Sequence, residues 1–564
     1  MAFRKTIRTY RNLQRMQAIL NVLLKYGFGQ LIRQLGLHRL LPLGKRASAL
    51  SQDDSVSPLD PLTMPERLRF ALEELGPTFI KFGQVLSTRP DILPDNFIVE
   101  LKKLREDVKP MPFPAIKKTL EDFFDDDLEN VFVEFSEHPI ATASIGQVYT
   151  GKLHSGEEVV IKVRRPGIEI IVKNDLDILH MLARILSGRV EGFSHFDPKG
   201  LVREFEKTIL QEMDYNVEAL NIERFRENFR LEDKVVIPKV YWDYSGKTVI
   251  TMQKMVGLSM DDPVALRDAG YNPQELAREG IRIFLRQVLE FGLFHADPHP
   301  GNILAMPDGR IGMIDFGMVG RLDARTSENL GSLIINIIQK DYDRLLISMR
   351  KLGFEFDELS SADLRREIVD IVELHYGLPL KKIGIGELLS KLIETVLRFG
   401  VGLPSGFLML TRAMVIAEGV GSQLDPDIDV IDISRPLITK MLKRRRNPKK
   451  LMEDSVAALQ DLRHTASVLP RYVEILFQRL LRGKLRLEYS HANLEGFYKI
   501  IEKTGNRLSF SIVVAALILG SSIIMYSKLG PFVFGYPVIG VVGYTLAALL
   551  GLWLLITIIR SGRI

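Results

Sequence analysis

The sequence predicts an α+β fold in two lobes, with added N-terminal helices before it and a C-terminal transmembrane helical hairpin after it. Three observations predict this. From about Val131 to Val163 the runs VFVEF, IGQVYTGKL and EEVVIKV are strand-like and separated by polar turns such as HSGEE. After Gly317, MVGRLDARTSENLGSLIINIIQKDYDRLL passes almost at once into a helical pattern, with a cap candidate at Thr326/Ser327 and the apolar series Leu330, Leu333, Ile334, Ile337. Finally, Leu508 to Tyr526 and Val538 to Ile559 carry no charge, and a bilayer is crossed by about 20 helical residues.

Taken in order, Met1 to about Leu50 is basic and intermittently apolar. Its apolar stretch, Ala18 to Leu24, is too short for a secretory signal and lacks a small-residue cleavage pattern. SQDDSVSPLDPLTMP then reads as a linker or loop, and Pro65 to Leu75 has helical periodicity. The strands follow, and Thr248 to Gly257 (TVITMQKMVG) reads as one more strand. Near the end, SKLGPFVFGYP turns the chain between the two apolar spans with Lys528 as its single charge. Lys503 and Arg507 precede the first span while Arg560 and Arg563 follow the second, so the positive-inside bias puts both outer ends, and everything before them, in the cytoplasm. Gly540, Gly543 and Gly551 permit close helix contact.

A chain of 564 residues calls for two or more structural units. A net charge of +5 is modest for that size and does not suggest a nucleic-acid partner. The basic residues are clustered, at Arg4, Lys5, Arg8, Arg11 and Arg15 and again at Lys440, Lys443, Arg444, Arg445, Arg446, Lys449 and Lys450, where they could meet anionic lipid headgroups or simply form solvated faces. The absence of cysteine excludes disulfides, thiolate metal sites and a cysteine nucleophile.

The chemistry is concentrated in FHADPHPGNIL, Phe294 to Leu304, and MIDFG, Met313 to Gly317. Together they look like the catalytic and metal-binding loops of a protein-kinase-like fold, the bilobal α+β architecture outlined above. Asp297 stands where the base sits, Asn302 follows five residues later, and Asp315 opens the DFG triplet. Phosphoryl transfer needs oxygen ligands converging on Mg²⁺ between the phosphates of ATP, with a carboxylate near the acceptor. Asn302 and Asp315 would hold the metal, and Asp297 would face the nucleophile. His295 and His299 flank Asp297, but their alternation on a loop would not converge them on a transition metal.

Lys162, in EEVVIKV, is expected on a strand buried on both sides, where an ammonium needs a partner. It would reach the α- and β-phosphates, held by Glu212 or Glu218 from a helix containing QEMDYNVEA; the spacing leaves the choice open. Ile140 to Val148 (Ile140, Ala141, Thr142, Ala143, Ser144, Ile145, Gly146, Gln147, Val148) would lie over the phosphates, and Gln253 to Met255 would contact adenine at the hinge, where the methionines read equally as plain core.

GPTFI followed by KFGQ (Lys81 to Gln84), then ATASIGQVY, VVIKV, EMDY, FHADPHPGN and IDFG, in that order, resembles the UbiB family of atypical protein-kinase-like proteins, which includes the mitochondrial coenzyme Q-associated members. The resemblance covers roughly Pro65 to Asp425, including LPSGFLMLTRAMVIAEG, and the C-terminal hairpin resembles that of bacterial UbiB proteins. It implies a basic helical segment at 1–50, a linker and helical KxGQ extension at 51–130, an N-lobe at 131–256, a C-lobe at 257–440, a basic helical linker at 441–505 and the hairpin at 506–564. It also implies that Lys81 and Gln84 belong to a regulatory helix folded over the active site, occupying space a peptide would need.

Two departures from an ordinary protein kinase bear on the substrate. Ala141, Ala143 and Ser144 replace a glycine-rich loop, which stiffens it, and the resemblance implies altered nucleotide preference and restrained transfer to proteins. No APE-like anchor follows Gly317, so a peptide-docking platform is missing. The resulting expectation is an ATP- and Mg²⁺-dependent, membrane-anchored ATPase or small-molecule kinase in the inner (cytoplasmic) membrane. The family resemblance gives it a role in ubiquinone biosynthesis, handling lipid-soluble isoprenoid quinone precursors beside other quinone-biosynthetic enzymes. A true kinase for a protein or small hydroxyl compound, and a nucleotide-gated scaffold, are the alternatives.

Overall fold

The computed structural model describes residues 2–41, 62–89, 92–104, 110–189, 197–354, 363–371, 385–399, 401, 405–445, 494–527, 531–533 and 536–560. Most of the expected linker after Leu50, the basic run beyond Arg445, and Lys528 and Arg563 lie outside the described residues. The chain divides into two compact units, Met1–Met452 and Glu453–Ile564.

The first unit opens with helix Ala2–Lys25, which buries Met16, Ile19 and Leu20 in a core shared with helices Met64–Leu75, Pro77–Leu86 and Ile168–Arg189. Arg15 is committed within this bundle. Its guanidinium lies 2.7 Å from the fully buried Asp175 carboxylate and donates to the Leu75 carbonyl at 2.7 Å. Arg15 therefore serves neither the lipid-facing nor the solvated-face reading of its cluster, because a buried carboxylate needs its cation more than the surface does. Helix Met64–Leu75 starts with a Thr63/Glu66 capping box. Gly83, inside KFGQ, lets helix Pro77–Leu86 pack closely, since a Cβ there would sit 2.4 Å from Leu104 Cδ1 and 2.8 Å from Leu72 Cδ1.

The strands of this unit are β1 (Phe132–Phe135), β2 (Ala141–Thr142), β3 (Gly146–Leu153), β4 (Glu158–Arg164), β5 (Val235–Val236), β6 (Val249–Gln253), β7 (Leu258–Ser259), β8 (Leu293–His295), β9 (Ile303–Ala305), β10 (Ile311–Met313) and β11 (Val319–Arg321). An antiparallel sheet in the order β1-β3-β4-β6, with β2 paired to β3, forms the N-lobe. Along β4, Val159, Ile161 and Val163 are fully buried against Phe132, Tyr149 and helix Phe113–Phe124, whereas Val160 and Lys162 alternate onto a half-buried face. The strand is thus not buried on both sides. A second sheet, β5-β10-β9-β7, and the pair β8–β11 carry the two chemical loops. Helices Pro273–Arg286, Ala324–Ile338, Tyr342–Lys351, Ile385–Arg398, Ser405–Leu424 and Val430–Arg445 surround the apolar C-lobe core. Helix Ala324–Ile338 begins earlier than Thr326/Ser327 would require, because the Asp323 carboxylate caps the Thr326 amide at 2.6 Å.

The expected helix through QEMDYNVEA is two helices. Pro198–Glu212 ends at Met213, and the Asp214 side chain accepts from the Asn216 amide at 3.1 Å to start Tyr215–Asn228. An aspartate that caps a new helix outcompetes continuation of the old one.

In the second unit, helices Leu494–Ser527 and Val538–Arg560 pack on each other. Within them, Gly505–Ser527 and Val538–Leu555 have mean hydropathy 2.4 and 2.2 and are long and apolar enough to cross a membrane. Gly540 and Gly543 are used inside this hairpin: a Cβ at Gly543 would lie 2.1 Å from Ser521 Oγ, and one at Gly540 2.8 Å from Met525 Cγ. Ser522 and Tyr544 hydroxyls meet at 2.5 Å, and Phe510 packs on Trp553 with ring centroids 5.6 Å apart.

Candidate active site

A cleft of about 350 Å³ lies between the N-lobe sheet, the loops after β8 and β10, and helices Pro77–Leu86, Pro198–Glu212 and Ser405–Leu424. Lys162 reaches it from β4, where it faces Val148 on β3 and Ile250 on β6. Its Nζ lies 2.5 Å from Glu218 Oε1 and 3.4 Å from Asp315 Oδ2. Glu212 instead pairs with Lys81, which joins the neighbouring helices Pro77–Leu86 and Pro198–Glu212 along one wall of the cleft. The break at Asp214 decides this choice, because it sends the two glutamates to different helices.

These contacts set the charges. Burial works against the Lys162 ammonium, but the carboxylates of Asp315 and Glu218 outweigh it and raise its pKa above the ordinary lysine range. Burial raises the Glu218 carboxyl against the pull of Lys162. Lys162 draws the Asp315 carboxyl down to about 2, so it is ionised at neutral pH. Burial lowers the His295 imidazole, which keeps it neutral.

The loop after β8 is built around His295. Its amide donates to Gln287 Oε1 at 2.9 Å, from the single π turn Gln287–Phe291, and its Nδ1 accepts from the Asp297 amide at 3.2 Å. Asn302 Nδ2 donates to the Asp297 carbonyl at 3.2 Å, while the Ile314 amide donates to the Asn302 carbonyl at 3.0 Å. His295 and His299 therefore act as hydrogen-bonding residues of the loop, His299 Nδ1 accepting from the Gly301 amide at 3.3 Å. Asp315 adopts φ 60°, a left-handed conformation that aspartate tolerates, held by the Gly317 amide donating to its Oδ1 at 3.1 Å. Such backbone outliers cluster at functional sites. Phe316 is fully buried against Phe225, with centroids 4.8 Å apart, and its carbonyl accepts from Asn221 Nδ2 at 3.1 Å.

The donor set fits Mg²⁺. Among the described residues no group of three or more His, Asp or Glu side chains is placed to hold a metal ion. Asn302 spends its amide nitrogen on Asp297, which leaves its oxygen and the ionised Asp315 carboxylate as two hard donors. Mg²⁺ in phosphoryl-transfer sites commonly takes one or two such protein oxygens and fills its shell with phosphate and water.

Known proteins resemble the chain at the level of sequence family. The model of the ABC1 atypical kinase-like domain matches residues 103–349, the UbiB helical domain 368–429 and the ABC1/UbiB kinase-like C-terminal domain 492–560. A probable protein kinase UbiB from Marinobacter nauticus is 34% identical over 400 residues, 70% of this chain and 73% of that one. The chain belongs to the UbiB family. An uncharacterized Clostridium pasteurianum protein of the hydrogenase 1 5′ region is 31% identical over 502 residues, 89% of this chain and 94% of its own. A solved chain from a Mycobacterium tuberculosis erythromycin complex is 24% identical, covering 63% of this chain and 90% of that one, with a TM-score of 0.46.

Within this UbiB-family cleft, the structure brings together Lys81, Gln84, Ala143, Ile145, Gly146, Val148, Lys162, Glu212, Glu218, Asp297, Asn302 and Asp315. Seven sequence-predicted residues do not line it. Ser144 and Gln147 are fully buried, Gln147 accepting from the Met111 amide at 3.2 Å; Ile140, Ala141 and Thr142 sit farther out in the loop and β2. Gln253 is exposed and accepts from the Lys239 amide at 3.4 Å, and the Met255 methyl approaches Gly312 of β10. Gly146 is needed where it stands, because a Cβ there would meet the Tyr215 hydroxyl at 2.1 Å.

Sequence reasoning missed three contributors. Asn221 holds the turn at Phe316 and lies three residues after Glu218 on the same helix, a spacing that could have exposed it. Tyr215 packs over Gly146. Arg412, from helix Ser405–Leu424, lines the cleft near Asp297; it lies in the family-like stretch LPSGFLMLTRAMVIAEG, but its contact with Asp297 is made only by the C-lobe fold.

Proposed function

We propose that this chain is a membrane-anchored, ATP-using member of the UbiB family that supports ubiquinone biosynthesis through ATP-driven handling of lipid-soluble quinone precursors. One observation carries the nucleotide chemistry: Lys162, paired to Glu218 and facing an ionised Asp315, shares one cleft with Asn302 and Asp297. Lys162 would hold the α- and β-phosphates of ATP. Asn302 and Asp315 would ligate Mg²⁺, which supplies charge neutralisation at the phosphates when bound. Asp297 would orient the attacking group and take its proton.

The bias toward a small acceptor follows from the walls. Helix Pro77–Leu86, held to helix Pro198–Glu212 by the Lys81–Glu212 pair, takes up one wall of the cleft, where the family resemblance would have it exclude a peptide, and helix Ala324–Ile338 begins three residues after β11, with no extended segment between. The role in quinone handling is carried over from the family; the two apolar helices support a membrane anchor, and the cytoplasmic membrane with the cleft on its cytoplasmic side is read from the family and from the basic residues flanking the spans.

The test is Mg²⁺-dependent ATP hydrolysis by the full chain, wild type against Asp315→Asn, with and without anionic liposomes and a quinone-precursor-like phenol. Turnover that rises with liposomes and phenol and vanishes in the variant is expected. Turnover unaffected by Asp315→Asn would overturn the assignment. Nucleotide binding without turnover under every condition would favour a scaffold, and γ-phosphate recovered on an acceptor other than water would favour a kinase.

A further inference from the structure

The catalytic loop has a shortage of positive charge. From Phe294 to Leu304 it contains no lysine or arginine. Yet the three peripheral oxygens of a transferring phosphoryl group carry charge that a site must neutralise, and preorganised cations aimed at that charge are among the largest catalytic terms. The other cleft ammonium groups near the chemistry are committed: Lys162 to Glu218 and Asp315, and Lys81 to Glu212.

Arg412 is placed differently. It rises from helix Ser405–Leu424 into the same cleft, and its Nη2 stops 3.9 Å from Asp297 Oδ1. That separation is too long for a hydrogen bond, so the guanidinium is oriented toward the carboxylate without being locked to it. Both side chains are about one-third exposed, at 37% and 36%, so the space in front of them is open to the cleft. A planar guanidinium presents two parallel N–H donors, the geometry that clamps phosphate oxygens.

We infer that Arg412 supplies the transferring phosphoryl group with the cationic contact that the catalytic loop lacks. This deepens the ATP-using reading above and rests on it. In the step, the acceptor oxygen bonds to the γ-phosphorus as the bond to the β–γ bridging oxygen breaks. The acceptor proton passes to the Asp297 carboxylate, and ADP leaves with the bridging-oxygen electron pair. Arg412 contacts the peripheral oxygens as charge shifts onto them, and its proximity to Asp297 keeps the base and the phosphoryl group in line. The helical region after the C-lobe strands thereby contributes directly to the chemistry.

The experiment compares wild type, Arg412→Ala and Arg412→Lys as full chains in liposomes, with thermal melts confirming that each is folded. Two readouts are taken: ATP turnover, and binding of a fluorescent ADP with and without aluminium fluoride, a mimic of the transferring phosphoryl group. Arg412→Ala is expected to bind ADP within about 2-fold of wild type, to lose about 10²-fold in kcat, and to lose the extra affinity conferred by aluminium fluoride. Arg412→Lys should fall between, and added guanidinium should restore part of the Arg412→Ala turnover, which a purely structural role would not allow. Equal kcat and equal aluminium fluoride enhancement in Arg412→Ala would overturn the inference while leaving the ATP-using reading intact. If wild type hydrolyses no ATP, the aluminium fluoride arm alone decides it. A wild type that binds no nucleotide would sink that reading and this inference with it.

Discussion

Replacing Lys162 by methionine isolates the electrostatics of the cleft, because the apolar stem is kept and only the ammonium is lost. Glu218 is 6% exposed, so its carboxylate would be left without its cation; removing one partner of a buried pair costs about 3–5 kcal/mol. Glu218 can escape part of this by taking up a proton. Its carboxyl is already raised by burial, and loss of Lys162 raises it further. A carboxyl whose folded pKa lies above its unfolded value contributes stability below the unfolded pKa and loses it as pH rises through the folded one. The variant should therefore approach wild type near pH 5 and fall furthest behind near pH 8. Asp315 contributes with the opposite sign. Lys162 first, then the Gly317 amide and His295, bring it against burial from 3.8 to about 2, a net shift of about 2.4 kcal/mol at 1.36 kcal/mol per unit. Half of the side chain, 52%, is open to the cleft, however, and solvent screening reduces this to about 1 kcal/mol. In the wild type this contribution is constant between pH 5 and 8, because the Asp315 carboxyl is ionised throughout that range. Thermal melts at pH 5, 6.5 and 8 of wild type, Lys162→Met and Lys162→Met/Glu218→Gln measure both parts. The double variant should recover most of the pH-dependent deficit while remaining inactive. A deficit equal at all three pH values, or a double variant as unstable as the single one, would refute the reasoning.

Three further outcomes are expected. Gly146→Ala places a methyl 2.1 Å from the Tyr215 hydroxyl and should cost about 1–3 kcal/mol by overpacking, with Tyr215→Phe recovering part of it in the double variant; melts of the three proteins check this. Lys81→Ala severs the tie to Glu212 and should speed amide hydrogen exchange in residues 77–86 without unfolding the chain, so unchanged exchange there would count against the tie holding that helix in place. Gly543→Val drives side-chain atoms into Ser521 and should part the hairpin; since the chain has no native cysteine, cross-linking between Phe510→Cys and Trp553→Cys, read in the presence and absence of Gly543→Val, reports it directly.

How much of this was legible depended on whether the signal was local. The strands from Val131 to Val163 and the apolar spans were readable because periodicity and length are properties of short segments. Lys162 was recognisable on its strand, but its burial was overestimated. The alternation Val159, Ile161, Val163 against Val160, Lys162 was in the sequence, and the β-branched run masked it. The helix break at Asp214 was also local, as an aspartate N-cap within a periodic stretch, yet it looked like one more polar residue on a continuous helix. Ser144 and Gln147 belong to a loop whose residues were all assigned to the phosphates; only packing showed that these two turn inward.

By itself, the sequence determined the residue types of the candidate site and their order along the chain, because loops such as FHADPHPGN and IDFG are short and their chemistry is written in adjacent side chains. The tertiary structure alone decided which charges meet. Glu218 rather than Glu212 faces Lys162, Glu212 pairs with Lys81, Arg15 is consumed by Asp175, and Arg412 arrives beside Asp297. Each of these pairs joins residues distant in the chain. A Coulomb interaction depends on separation in space, which no spacing along a sequence records.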